Sequence, residues 1–395
     1  LRNLSMEQLE EFKLETRAWL EENCPAGARA PGQLHTGSSK IPLSHPDLQL
    51  WLDRMAEKGW VTPTWDKAYG GAGLSTIEYV ALLEEMKAIG ARPPVINRGT
   101  TMAGPTILEF GYEEQIRRLL PMIARGEGAW CQGYSEPGAG SDLASLRTSA
   151  VADGDRYLIN GQKIWTSDGH TSEWMFILVR TGPLEPKHDG ISFFILNMDQ
   201  PGVDARPIDL INGGSHFCET FFDDVKVSKN KLIGELNAGW AIAKALLQHE
   251  RAFISSFGLA SAMGSGRDLV SIAKKHVGEE DGKISNGFYR SQIASHKIKE
   301  HAFGLTLKRA KDEGGKASAT ASMFKLYGTE HNKRRHELMV AATGIDGVAW
   351  DGDEFDKKDK DLTKAWLRTK GNSIEGGTSE VQLNVISKRV LGLPS

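Results

Sequence analysis

The spacing of apolar residues changes twice along this chain of 395 residues, and this change limits the possible folds more than any other feature. Up to about residue 128 the spacing is helical. Short β-branched and aromatic runs typical of strands follow, and helical spacing returns near residue 239. We therefore predict an α+β multidomain protein with a helical N-terminal domain over 1–128, a middle β-barrel or sandwich over 129–235, and a helical C-terminal domain over 236–395.

Local signals predict the individual elements. Ser5 and Gln8 form a possible capping box at the start of the first helix, and Pro25 ends that helix. Further helices are predicted over 47–58, 76–89, 113–124, 240–276, 288–312 and 317–343, and strands over 157–159, 174–179 and 191–196. The segment 344–360 is predicted to be a loop whose run of Asp and Lys residues is solvated.

Composition argues against several classes of protein. The formal net charge of −3 gives no reason to expect nucleic acid or an anionic membrane as a partner. Cys24, Cys131 and Cys218 are few, odd in number and far apart, so we expect neither a disulfide framework nor a metal site. No apolar stretch approaches the roughly 18 residues of a membrane span. The first residues form a polar, helix-like segment rather than a signal peptide, so a cytoplasmic location is expected.

Two short motifs carry the strongest functional signal. The first, Ser135 to Asp142, is a loop around Gly-Ala-Gly whose backbone N–H groups are free to point at an anionic or polar ligand. In the second, Trp165, Thr166 and Ser167 end a strand-like run. An aromatic ring with two hydroxyls suits covering and hydrogen-bonding a planar heterocycle. The plain structural alternatives are a simple turn for the loop and a core position for Trp165.

Further landmarks occur in order on both sides of these motifs. They are Lys58-Gly59-Trp60, Trp65, Tyr69-Gly70-Gly71, Phe110-Gly111, Gln115, Leu120-Pro121, Val225-Lys226-Val227, Gly234-Glu235, Gly239-Trp240 and Gly376 to Gln382. This order resembles the acyl-CoA dehydrogenase superfamily over nearly the whole chain. The resemblance implies an FAD-dependent enzyme that oxidises an acyl-CoA to the trans-2-enoyl-CoA and passes electrons to an electron-transferring flavoprotein. It also implies a C-terminal four-helix bundle that builds a homotetramer or homodimer.

The resemblance assigns ligand contacts residue by residue. The implied FAD contacts are Gln132, Tyr134, Ser135, Gly140, Ser141, Trp165, Thr166, Ser167, Thr378 and Glu380. Among them, Trp165 would shield the flavin ring and Ser167 would lie near its N5 and O4 atoms. The implied substrate contacts are Ser141, Arg251 and Gly376, the last through its main-chain N–H.

The catalytic base departs from the commonest pattern of the family. Many members carry a Glu directly before the Gly-Thr of the C-terminal motif, but that position is Gly376 here and Glu375 falls one residue early. A second group of members places the base in a Glu-Arg pair on a middle helix, which Glu250-Arg251 matches. Glu250 also lies on an otherwise apolar helical stripe, where a poorly solvated carboxylate suits a base acting on a carbon acid. We therefore assign Glu250 as the base, with Glu375 as the alternative; a simple ion pair at a helix interface is the plain structural interpretation of Glu250.

A second departure concerns the pyrophosphate end of FAD. Relatives often carry an Arg and a Phe-Gly before the helix near residue 288, whereas this chain has Phe288 and Arg290 without that spacing. The family's Gln before its Gly-Gly pair is also absent, with Val340 and Ala341 nearby. Either Arg290 substitutes or a different partner chain supplies the contacts, as in bacterial mixed tetramers that act on steroid-type acyl-CoAs.

Three functions remain open from the sequence. The first is a catabolic acyl-CoA dehydrogenase, and the glycine at position 376 favours bulky or branched acyl groups. The second is a flavin monooxygenase, oxidase or desulfinase of the same fold, which Glu250 disfavours because those relatives generally lack a carboxylate in either base position. The third is a mainly structural subunit of a mixed tetramer.

Overall fold

The computed structural model describes residues 5–253, 268–312 and 318–394, and its side-chain detail covers 5–247, 268–310 and 322–394. Contacts divide the chain into two units. The first unit consists of Leu1–Ile208 with His216–His249, and the second consists of Asp209–Ser215 with Glu250–Ser395.

Helices open the first unit. They are α1 (Met6–Asn23), α2 (Asp47–Glu57), α3 (Thr76–Ala88), α4 (Gly104–Phe110) and α5 (Glu113–Ala124). The predicted capping box of α1 is confirmed: Ser5 Oγ accepts from the Gln8 N–H at 3.1 Å, and Gln8 Oε1 accepts from the Ser5 N–H at 2.9 Å. The helices α1 to α3 enclose a core of Leu20, Cys24, Ala28, Trp51, Met55, Trp60, Leu82 and Met86.

One sheet of eight strands follows. Its strands are β1 (Trp130–Gly133), β2 (Ser149–Asp153), β3 (Arg156–Ser167), β4 (Trp174–Arg180), β5 (Ile191–Asn197), β6 (Val203–Ile208), β7 (Phe217–Ser228) and β8 (Leu232–Ile233). Their order in the sheet is β6-β7-β3-β2-β4-β5-β8, and β1 pairs in parallel with β4. The predicted middle β domain is therefore confirmed.

The central strands β4 and β5 are buried on both faces, which explains their nearly continuous apolar sequence. On one face, Phe176 and Leu178 join a core with residues of α4, α5 and the helix α6 (Gly239–Phe253). On the other face, Met175 and Ile177 join a core made entirely of residues from the sheet and its edges. One face of the sheet therefore packs in a core built from the sheet itself, and the other face packs against helices.

The second unit is mostly helical in its described part. Its helices are α7 (Leu269–Val277), α8 (Gly287–Asp312), α9 (Ser318–Thr343), α10 (Lys357–Thr369) and α11 (Ser379–Val385), and a short hairpin joins β9 (Glu279–Glu280) to β10 (Lys283–Ile284). The core consists of Leu269, Ala273, Ile284, Ile293, Leu338, Met339, Ala342 and Leu362, from β10, α7, α8, α9 and α10. The predicted helical C-terminal domain is confirmed in this region.

The predicted loop over 344–360 is partly wrong. Helix α10 begins inside it, because the side chain of Asp356 caps the helix by accepting from the Lys358 N–H at 2.9 Å. The charged run is not fully solvated either, since Asp359 is buried and pairs with Lys275 at 3.2 Å.

Cys24, Cys131 and Cys218 are all buried free thiols. Among the helices in the described ranges, none combines the length and the apolar character needed to cross a bilayer.

Candidate active site

The loop that follows β1 is a tight turn with an open outer side. Glu136 and Ala139 exchange two backbone hydrogen bonds of 3.0 Å, which fold the chain back over Pro137 and Gly138. A Cβ atom added at Gly138 or Gly140 would meet no heavy atom of the described residues within 4 Å. The loop therefore presents its backbone to open space, as a ligand-binding loop requires.

Trp165 turns out of the sheet at the end of β3. Its φ of +60° lies in the left-handed region, which costs a bulky residue about 1 kcal/mol or more. The pairing of β3 with β7 is irregular between Lys163 and Thr166, so the ladder accommodates this conformation. The indole is 54% exposed and contacts the Phe217 ring edge-on, with centroids 6.0 Å apart. A core position for Trp165 is thereby excluded in this unit.

A buried ion pair joins the loop to β3. Lys163 is fully buried, and its Nζ donates to Glu136 Oε1 at 2.8 Å and to the Tyr134 carbonyl at 3.0 Å. Glu136 also accepts from the backbone N–H groups of Arg147 at 2.7 Å and Thr148 at 2.9 Å. Two hydrogen bonds of Lys163 therefore connect β3 to the loop, and two more tie Glu136 to the backbone that follows the loop.

The electrostatics of this pair reflect its burial. Burial lowers the pKa of Lys163 to about 8, although the charge of Glu136 opposes the shift. Burial acts to raise the pKa of Glu136, but the Lys163 charge and the hydrogen bonds outweigh it and hold this pKa below the usual range. Sequence reasoning missed this pair. The available signal was a Glu and a Lys placed inside two motifs that otherwise contain small, hydroxyl and aromatic residues.

Arg180 fixes the segment that follows the loop. Its buried guanidinium donates to the carbonyls of Ala144 at 2.6 Å and Lys187 at 2.8 Å, and more weakly to that of Leu146 at 3.2 Å. Burial lowers its pKa. Sequence reasoning also missed Arg180, whose signal was a cation at the end of the apolar run of β4.

The other expected flavin contacts of the first unit differ in exposure. Tyr134 is buried edge-on against Phe176, and Gln132 and Ser167 are half-buried. Thr166 is fully buried, and its hydroxyl accepts from Thr220 at 3.2 Å. Its side chain therefore points into the sheet, which leaves only its main chain for a ligand. Ser135 is tied to the second motif, because its carbonyl accepts from the Ile164 N–H at 2.9 Å.

The C-terminal motif lies in the second unit. Gly376 and Gly377 have φ values of +65° and +91°, and Thr378 caps α11 by accepting from the Val381 N–H at 3.2 Å. Gly376 and Glu380 are exposed. Both glycines are in the conformation that only glycine adopts without strain.

Glu375, the alternative base, is engaged by two neighbours. Its carboxylate accepts from Arg368 Nη2 at 2.7 Å and from Asn372 Nδ2 at 2.6 Å. Both donors belong to the second unit, and the carboxylate would have to leave them before it could act as the base.

The surroundings of the remaining expected site residues are described only in part. Glu250 and Arg251 belong to α6, but their side chains lie outside the described residues. Arg290 donates to the Ile284 carbonyl at 2.8 Å, which anchors the start of α8. Phe288 is exposed, and the carbonyl of Ala341 accepts from the Tyr289 hydroxyl at 2.8 Å.

The residues of the first unit fit a flavin cofactor. An exposed indole offers a flat apolar wall, and the glycine loop offers polar backbone groups without side chains in the way. The buried hydrogen bonds of Lys163 connect the loop to β3, the strand that carries the indole, so the protein itself holds the two parts together.

Comparisons with known proteins identify the family of the chain. Three family models match, described as the acyl-CoA dehydrogenase N-terminal domain over 6–127, middle domain over 131–225 and C-terminal domain over 237–391. The acyl-CoA dehydrogenase IpdE1 of Mycobacterium tuberculosis is 36% identical over 390 residues, covering 98% of this chain and 99% of that protein. The acyl-CoA dehydrogenase FadE34 of the same organism is 35% identical, covering 86% of this chain and 45% of that protein.

Solved structures give the same result. One named Tcur3481-Tcur3483 steroid ACAD has a TM-score of 0.77 at 29% identity, with both chains covered completely. The ChsE4-ChsE5 complex from Mycobacterium tuberculosis has a TM-score of 0.76 at 28% identity, also with complete coverage.

The chain belongs to the acyl-CoA dehydrogenase family. It is therefore an oxidoreductase that acts on CH–CH bonds, in a family of flavoproteins with a helical, β, helical domain order. The resemblance found in the sequence is confirmed.

Proposed function

We propose that this protein is an FAD-dependent acyl-CoA dehydrogenase that converts a bulky acyl-CoA thioester into its trans-2-enoyl-CoA. The observation that carries the proposal is the exposed Trp165 indole beside the open glycine loop, held together by the buried Glu136–Lys163 pair. An electron-transferring flavoprotein takes up the electrons.

The first unit supplies most of the cofactor contacts in this proposal. Trp165 covers the flavin ring, and Ser167 forms a hydrogen bond near its N5 and O4 atoms. The backbone of the glycine loop binds the polar parts of the cofactor. The remaining contacts are Gln132, Tyr134, Ser135, Gly140, Ser141, the main chain of Thr166, and Thr378 and Glu380 from the second unit. When bound, FAD supplies the acceptor for the hydride that leaves the β-carbon.

The acid–base chemistry comes from the protein itself. Glu250 removes the α-proton, with Arg251 beside it on α6 and in contact with the substrate. The engagement of Glu375 by Arg368 and Asn372 supports this choice over the alternative base. The main-chain N–H of Gly376 donates to the thioester oxygen, where negative charge builds as the proton leaves.

The acyl group is expected to be branched, cyclic or steroid-like. Among the described residues, a Cβ atom at position 376 would meet only Lys325 Cε, at 3.9 Å, so the glycine leaves space there. A structural relative of the chain is named a steroid ACAD, which supports the same class of substrate.

A mixed assembly is a second candidate arrangement. The missing pyrophosphate motif near Phe288 and Arg290 favours it, and so does the similarity to the ChsE4-ChsE5 complex. In that arrangement a second, different chain completes the flavin site. A homotetramer or homodimer is the simpler alternative.

The test is to purify the chain alone and titrate it with FAD. We expect a yellow protein with about one FAD per protomer, or one per pair of protomers. Trp165→Ala should weaken FAD binding, whereas Trp350→Ala, which removes an indole of the second unit, should not. A folded chain that stays colourless with added FAD, alone and with candidate partner chains, would refute the proposal.

A further inference from the structure

Both carbonyl groups of the Gly376–Gly377 pair are held by buried side chains. Lys325 on α9 is 7% exposed, and its Nζ donates to the Gly377 carbonyl at 2.6 Å. Gln382 on α11 is 3% exposed, and its Nε2 donates to the Gly376 carbonyl at 3.2 Å. The glycine pair is therefore clamped from two helices.

The clamp holds the two carbonyl groups of the glycine pair and leaves its two N–H groups open. On the preceding side, the Glu375 N–H donates to the Gly371 carbonyl at 3.0 Å, so the chain entering Gly376 is also fixed. Within the described part of the chain, neither the Gly376 N–H nor the Gly377 N–H donates a hydrogen bond. The Gly376 N–H belongs to an exposed residue, and hydrogen bonds hold the backbone on both sides of it.

Burying the ammonium group of Lys325 costs desolvation free energy that a purely structural clamp does not require. Burial lowers its pKa, although Glu375, Glu330 and Glu380 act in the opposite direction. A buried cation that bonds a neutral carbonyl adds little stability, because its desolvation offsets most of the gain. An ammonium at this place is better explained by an effect on a ligand that gains negative charge nearby.

We propose that Lys325 is a positioning residue that sets the direction of the Gly376 N–H toward the thioester oxygen, with Gln382 as the second half of the clamp. This inference rests on the proposed function. It adds that the side chains of Lys325 and Gln382 hold the Gly376 N–H, which is the oxyanion donor. The positive charge of Lys325, whose Cε would lie 3.9 Å from a Cβ at position 376, adds to the polarisation of the thioester.

Carbonyl polarisation can be measured without turnover. A chromophoric arylacryloyl-CoA absorbs at longer wavelength when its thioester carbonyl is polarised, so the band shift on binding to the holoenzyme reports the oxyanion donors directly. Lys325→Met keeps the apolar stem and removes the ammonium. Lys325→Arg keeps the charge and the donors.

We expect Lys325→Met to bind FAD normally but to lose most of the band shift, and to slow reduction by an acyl-CoA about 10- to 100-fold. Lys325→Arg should recover part of both. The matched control is Lys333→Met, which removes a lysine of the same helix that pairs with Glu330 at 3.0 Å. The control should keep the shift and the rate.

If Lys325→Met fails to fold, Gln382→Leu decides the question, because it removes the other half of the clamp and should also lose the band shift. A full band shift and a normal rate in whichever of the two variants folds would overturn the inference. Failure of the proposed function looks different, since the wild-type protein would then show neither a band shift nor reduction with any acyl-CoA.

Discussion

Lys163 illustrates how a single buried side chain organises this protein. It lies 27 residues from Glu136 in the sequence, yet the two side chains meet in the interior and connect both motifs. The usual exposure of lysine would place it on the surface of a strand. Lys163 lies in the interior because Glu136 pairs with its charge there. The spacing of the two residues in the sequence does not reveal this contact.

We predict that Lys163→Met destabilises the protein strongly. The substitution leaves the Glu136 carboxylate buried and without its cation, which typically costs about 3–5 kcal/mol. The double variant Lys163→Met, Glu136→Gln should recover part of this loss, because the remaining amide is neutral and still accepts one backbone N–H. Urea unfolding of the purified variants measures both effects.

The control for this prediction is Lys187→Met. Lys187 pairs with Asp142 at 2.8 Å next to the same loop, but both side chains are exposed. Its loss should leave the free energy of unfolding almost unchanged, because solvent screens an exposed ion pair. Equal effects of Lys163→Met and Lys187→Met would contradict the account of the buried pair.

At the scale of elements, helices with strong capping signals were predictable from sequence. The capping box at Ser5 and the apolar spacing of α2, α3 and α5 placed those helices within a residue of their observed ends. The start of α10 was not predictable in the same way. The sequence of its first turn is typical of a charged loop. The contact between Asp359 and Lys275 explains why that turn is buried.

The candidate site was predictable in its motifs but not in its supports. The exposure of Trp165 agrees with the proposed role, whereas the buried side chain of Thr166 limits that residue to main-chain contacts. The Lys325–Gln382 clamp could not be predicted, since it joins residues of two helices through a turn whose φ values depend on the fold.

The packing of α8 on α9 predicts sensitivity to acid. His296 is 3% exposed and stacks on His331 with ring centroids 3.8 Å apart. Burial, together with the neighbouring His331, lowers the pKa of His296 to about 4. The unfolded chain therefore binds more protons than the folded chain between about pH 6.5 and 4, so the free energy of unfolding falls as the pH falls through this window.

His296→Phe keeps an aromatic ring in the stack and removes the titrating group. We expect the difference in unfolding free energy between pH 7 and pH 5 to shrink by about 1–2 kcal/mol in this variant. His301→Phe changes an exposed histidine of the same helix and should keep the wild-type difference. Denaturant titrations at the two pH values decide the matter; identical pH dependence in His296→Phe and the wild type would show that the stack is not the acid-sensitive element.

For the whole molecule, the family match establishes the class of reaction and leaves the acyl group to be determined. We predict a higher kcat/KM for a branched, cyclic or steroid-type acyl-CoA than for butyryl- or octanoyl-CoA. The physical reason is the space at Gly376, where a Cβ atom would meet only Lys325 Cε, at 3.9 Å, among the described residues. A clear preference for short straight chains in a panel of acyl-CoAs would mean that neighbouring side chains fill this space.

The most direct test of the account is the anaerobic reduction of the bound flavin by acyl-CoA in Glu250→Gln, measured by stopped-flow absorbance on the yellow assembly. Glutamine keeps the shape of the side chain and removes its basicity, so FAD and ligand should still bind. Because a positioned base typically contributes 10²–10⁴-fold, we predict that reduction slows by at least about 100-fold, while Glu375→Gln reduces at close to the wild-type rate. Normal reduction in Glu250→Gln together with an inactive Glu375→Gln would contradict the account and assign the base to the C-terminal motif.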